Sequence, residues 1–142
     1  MPSQRLLKML DPLGHTPSQV LASSLMKVVV YGGSPKICAW IARELAGVGD
    51  VLRATSFRHV STSLRPGARP MVSLAVLDFG AMSEMDVATL TSARWMGYRG
   101  AIVAITRAPI APAVQTLVGI DAVVHEGVDG ELRAAVEHLA TG

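Results

Sequence analysis

Aromatic residues are scarce: Phe, Tyr and Trp make up 4% of the 142 residues, while half of the chain is hydrophobic. A core without large rings has to be filled by Ala, Val, Leu and Ile, which suits a sheet covered by helices. Cysteine is nearly absent. Cys38 alone can form neither an internal disulfide nor a multi-cysteine metal site, and this indicates a reducing, cytoplasmic setting. No adjacent cation or general base activates it, so it is expected as packing. Long apolar runs are missing too. Leu6, Leu7, Met9 and Leu10 are interrupted by Asp11 and Pro12 before they reach the length of a signal-peptide core or a membrane span, so no membrane partner is expected. The four histidines lack ligand spacing, so no metal site and no cofactor is expected. A net charge of +2 is too small to require nucleic acid or an anionic surface.

What is present is a rhythm. From Lys27 onward, short apolar runs alternate with longer amphipathic ones, as when each strand is followed by a helix that returns across the sheet. Strands are predicted at Val28–Tyr31, Val51–Thr55, Ser73–Leu77, Ala101–Ile105 and Asp121–His125, most of them apolar enough to be buried on both faces. The first helix opens with Ser34 as N-cap and Pro35 at its first position, repeats Ile37, Ile41, Leu45 and Val48, and stops at Gly47 and Gly49. A second, Ser- and Thr-rich helix carries Phe57, Val60 and Leu64 and breaks at Arg65–Gly67. Ser83 with Asp86 forms a capping box before Val87, Leu90, Ala93 and Arg94. A short fourth helix spans Pro112–Val118, and the last, from about Val128 to Leu139, aligns Leu132, Val136 and Leu139.

The pattern predicts an α/β protein with a doubly wound parallel five-stranded sheet, flavodoxin-like (βα)5, over residues 27–142, preceded by an N-terminal extension, residues 1–26. That extension either packs on the domain or serves as a dimerisation or docking segment. Ligands and chemistry in such sheets gather at the carboxyl ends of the strands. There the sequence places Asp78 after the third strand and Thr106 after the fourth.

With their order and spacing, and with Met85–Asp86 following Asp78, these residues resemble the receiver domain of bacterial response regulators over about Lys27 to Ala140. The resemblance implies the strand order 2-1-3-4-5 and a phosphoacceptor position at Asp78, with Thr106 hydrogen-bonding the phosphoryl group. It also marks departures. Where receivers hold Mg²⁺ with an acidic pair, this chain has Tyr31 and Gly32; where they place a lysine, usually followed by proline, it has His125 and Glu126. Ala122 sits near the position of the family's aromatic switch residue. A phosphoryl group brings roughly two negative charges, and neither cation of the family is provided for here. His125 is therefore read as a solvated strand-end residue or as a partner for Asp78.

The resemblance and its departures lead to a pseudo-receiver, a signalling interaction module that binds a protein partner or itself near the fourth and fifth helices without aspartyl phosphorylation, and not an enzyme. Contact with nucleic acid would come only through an output domain outside this sequence. Two alternatives stay open. One is a small-ligand or nucleotide-binding flavodoxin-like domain that uses Gly32, Gly33 and Ser34 as an anion cradle. The other is a phosphorylatable receiver of a DNA-binding regulator. Arg53, Arg58, Arg65 and Arg69, with His59, form either a solvated face or a site for an acidic protein or nucleic acid.

Overall fold

Side chains alternate between the two faces of a strand, and in β1 (Lys27–Tyr31) both faces are apolar. The computed structural model describes residues 26–69 and 71–141; of the expected extension only Met26 falls among them. After β1 come α1 (Pro35–Glu44), β2 (Asp50–Arg53), α2 (Phe57–Ser63), β3 (Leu74–Asp78) and a single 3-10 turn (Phe79–Ala81). Then follow α3 (Glu84–Trp95), β4 (Ala101–Thr106), α4 (Pro112–Val118), β5 (Ala122–His125) and α5 (Glu131–Thr141). The strands form one parallel sheet in the order β2-β1-β3-β4-β5.

Each face of the sheet carries its own core. Val28, Val30, Val76 and Ile105 pack against Ile37, Trp40 and Ile41 of α1 and Leu132 and Val136 of α5. On the opposite face Val29, Leu77 and Ile102 meet Phe57 and Val60 of α2, Leu90 of α3 and Val118 of α4. This three-layer arrangement is the expected doubly wound fold.

Local chemistry explains most element ends. Ser34, Ser56 and Ser83 accept the backbone N–H three residues on, and Asp86 returns the bond to Ser83 N, completing the capping box. The Ser- and Thr-rich α2 persists because Ser61, Thr62 and Ser63 donate back to carbonyls one turn earlier while Phe57 and Val60 are buried. Two expectations need correction. β2 covers Asp50–Arg53 rather than Val51–Thr55, and all four of its residues are exposed, because among the described residues it is an edge strand that pairs with β1 alone. The last helix begins at Glu131 rather than Val128, since Gly127 and Gly130, at φ 80° and 84°, turn the chain before it.

Charged side chains fasten the layers. Arg94, near the end of α3, donates Nε to Val118 O (3.0 Å), Nη1 to Tyr98 O (3.1 Å) and Gly100 O (2.7 Å), and Nη2 to Gly119 O (2.6 Å) and Asp121 Oδ2 (3.0 Å). One guanidinium thereby ties α3, the end of α4 and the start of β4 and β5. Asp121 Oδ2 also accepts Ile102 N–H at 2.8 Å, and Arg94 lies 5.4 Å from the ring centre of Tyr98, whose phenol burial pushes up to about 12. Across the other layer, Glu44 at the end of α1 accepts the N–H of Gly130 (3.0 Å) and Arg133 (3.2 Å), capping α5 from a distant element. Arg133 reciprocates by donating Nη1 to the carbonyls of Glu44 and Ala46.

Arg94→Lys keeps the charge but loses the fork that reaches four carbonyls. It is expected to cost about 2 kcal/mol, and Arg94→Ala more, both read from urea denaturation midpoints.

Candidate functional site

The carboxyl ends of β1, β3 and β4 open onto a cleft of about 520 Å³ lined in part by Gly33, Ser34, Asp78, Thr106, Arg107 and Glu126. Asp78 and Thr106, 4% and 6% exposed, are the buried polar residues among the described residues. A buried carboxylate requires hydrogen-bond donors, and the backbone supplies them: Gly33 N–H donates to Asp78 Oδ2 at 2.9 Å and Gly80 N–H to Oδ1 at 3.0 Å. The Gly80 bond holds the turn that follows β3, and the Gly33 bond draws the β1–α1 loop across to β3. This approach needs glycine, because a Cβ on Gly33 would lie 2.6 Å from Ala81 Cβ and 3.2 Å from Asp78 Oδ2.

The expected anion cradle is therefore used from within. Gly33 N–H is spent on Asp78, Ser34 Oγ caps Ile37 N–H at 3.2 Å, and the anion held by the loop is the protein's own carboxylate. Gly32 is enclosed, as a Cβ there would sit 2.9 Å from Cys38 Sγ and 3.3 Å from Ile37 Cγ2. Cys38 is half-buried with its thiol against Gly32 O at 3.8 Å. Thr106 turns its hydroxyl into its own loop, accepting Ala108 N–H at 3.1 Å and donating to Ala108 O. Tyr31 packs edge-on against Phe57, ring centres 5.7 Å apart. Its phenol is held above the usual tyrosine range first by burial, then by the carboxylates of Asp86 and Asp78.

His125 does not meet Asp78. Its backbone N–H donates to Glu131 Oε1 at 2.6 Å and its ring Nδ1 lies 3.1 Å from Glu131 Oε2, with the side chain 63% exposed. The backbone bond, with the ring contact second among the lowering causes, holds Glu131 below the ordinary glutamate value. Next to it, Glu126 reaches into the cleft and pairs with Arg107 at 2.7 Å, which holds the guanidinium above its usual range. Sequence reasoning missed this pair; Arg107 directly follows Thr106, and Glu126 follows His125, which stands opposite Thr106 in the sheet.

No family model and no curated protein matches the sequence. Solved structures do. A response regulator from Thermotoga maritima in complex with Mg²⁺–BeF has a TM-score of 0.65 at 16% identity, over 80% of this chain and 98% of that one. A chain of the complex between the P1 domain of CheA3 and CheY6 from R. sphaeroides gives 0.65 at 21% identity, covering 84% and 99%. The chain has the receiver-like fold. A putative pilus assembly-related protein from Burkholderia pseudomallei has the same fold, at a TM-score of 0.65, 13% identity and coverage of 84% and 92%. At these identities the likeness establishes the fold, and function has to be argued from the site.

In a receiver-like domain the divalent cation would sit between the ends of β1 and β3. The donors here do not fit it. A hard cation takes six or more oxygen ligands, whereas Tyr31 offers a protonated phenol, Gly32 no side chain, and Asp78 has both oxygens engaged. Among the described residues no group of three His, Cys, Asp or Glu is placed to hold a metal.

Two outcomes follow. Where an acidic cluster repels itself, removing one carboxylate stabilises the fold; here Asp78→Ala strands two amides, and it is expected to destabilise by about 1–3 kcal/mol, as is Gly33→Ala by overpacking. Equilibrium urea unfolding reads both. Because Glu131 is held low in the folded state, its contribution is complete above the ordinary value of 4.5 and is lost as pH falls below it. Glu131→Gln should remove that part of the acid sensitivity, so wild type loses more stability than the variant between neutrality and pH about 3.

Proposed function

We propose that this domain is a pseudo-receiver: a signalling module whose output is recognition of a protein partner, or of a second copy, without aspartyl phosphorylation. The observation that carries the reading is the Asp78 carboxylate, bound at both oxygens by Gly33 and Gly80 N–H. In phosphotransfer to an aspartate, one carboxylate oxygen attacks phosphorus while cations offset the charge on the transferring group. At Asp78 both oxygens are already solvated by the backbone, and neither cation of the family has its donor. His125 is turned to Glu131 and the nearby Arg107 is neutralised by Glu126.

In this reading the carboxylate takes the structural part that an incoming anion would otherwise play, drawing the β1–α1 loop to the turn after β3. The domain then presents one fixed surface, and the partner is met near α4 and α5, where Leu117 is exposed. The nucleotide-binding alternative is weaker on the same ground, because the Gly33 and Ser34 groups it needs are occupied.

Incubation with Mg²⁺ and acetyl phosphate, followed by intact-mass analysis, tests the proposal. No phosphoryl adduct is expected on wild type. A stable adduct that disappears in Asp78→Asn overturns it. Thermal-shift scans with nucleotides should leave the melting temperature unchanged, whereas tight binding would raise it by mass action.

A further inference from the structure

Between Asp50 and Asp78 the sequence contains no acidic residue and carries Arg53, Arg58, Arg65 and Arg69. These four charges exceed the net charge of +2 for the whole chain, so the remainder is net acidic. All four arginines are exposed, and among the described residues none is in a salt bridge; Arg43 and Arg99 share this singly elsewhere, whereas here four such charges fall within 17 residues. Uncompensated charge of one sign raises the local concentration of an opposite partner.

The same segment holds a sheet edge that no further strand covers among the described residues. Every residue of β2 is exposed, including Val51 at 43% and Leu52 at 40%; the other edge strand, β5, keeps Val124 buried. Asp50 N–H and Ala54 N–H turn inward to Met26 O and Val30 O, so strand alternation turns the backbone groups of Val51 and Arg53 outward. Val51 pairs with Val28 and Leu52 with Val29, which places the two apolar side chains on opposite faces of the sheet edge.

We infer that the β2 edge, with the arginines around α2, docks an extended acidic segment of a partner protein, which adds to the sheet as a sixth strand. Val51 and Arg53 supply main-chain hydrogen bonds, Val51 and Leu52 supply apolar contact on the two faces, and the arginines select carboxylates at flanking positions. A second copy of this chain fits poorly, since edge-to-edge pairing would bring two sets of the same four arginines together. Residues 1–25 carry Arg5 and Lys8 against a single acid, Asp11, and lack the complementary charge. Single-stranded nucleic acid prefers stacking rings beside the charge, but here Phe57 is buried and Tyr31 packs on it. This surface is independent of Asp78 and stands whether or not that residue is phosphorylated.

Fluorescence anisotropy with a fluorescein-labelled peptide of alternating Glu and Val tests the inference. Saturable binding is expected, weakened about tenfold or more by Arg53→Glu with Arg58→Glu and by Val51→Pro, which removes one outward N–H. Circular dichroism checks that each variant is folded. Hydrogen exchange on the wild type gives a readout that needs no variant: the amides of Val51 and Arg53 should gain protection when the peptide binds. Equal binding of a peptide with proline in place of valine, stronger binding of a single-stranded oligonucleotide, or no saturable binding would each overturn the inference.

Discussion

A carboxylate at the end of a buried strand must be solvated by something, and at Asp78 the backbone does it. The two oxygens reach Gly33 N–H on one side and Gly80 N–H on the other, which links the loop after β1 to the turn after β3 across the mouth of the cleft. Much of the site's arrangement follows. Gly33 must lack a side chain to come close enough, the 3-10 turn is held at Gly80, and the Gly33 and Gly80 amides are already committed.

The rest of the molecule keeps that link in register. The sheet is stiff because two apolar layers cover it, and its layers are fastened by charged side chains that bond mainly to backbone. Arg94 gathers the ends of α3 and α4 with the starts of β4 and β5, while Glu44 and Arg133 join α1 to α5. Charge-assisted bonds of this kind to carbonyls and amides fix orientation as well as distance. β2 is the strand left exposed.

Much of this could be read from the residues in order. The alternation of valine-rich runs with amphipathic segments predicted the five strands and five α-helices of the described residues, with some ends shifted, and Ser83 with Asp86 marked a helix start that the structure reproduces atom for atom. Positions were legible where local spacing decides them. Asp78 and Thr106 were placed at strand ends by order and spacing. Partners across the chain were not. Arg94 reaches backbone carbonyls, which every residue has, so no side-chain pattern announces it. His125 has Glu131 six residues ahead, but only the turn through Gly127 and Gly130 brings the two together. The strand order expected from the sequence already put β2 at an edge, but how far Val51 and Leu52 stay exposed there depends on the packing of the layers. Gly33 was read as an amide open to an external anion; that its N–H meets the Asp78 carboxylate required the fold.

On the proposed reading Asp78, closed by Gly33 and Gly80, does not take up a cation-assisted phosphoryl group. Amide NMR spectra recorded during addition of Mg²⁺ with beryllofluoride, a mimic of the aspartyl phosphate, test it most directly. The account predicts that the Gly33 and Gly80 resonances stay in place. Saturable, Mg²⁺-dependent shifts of these two amides, lost in Asp78→Asn, would contradict it.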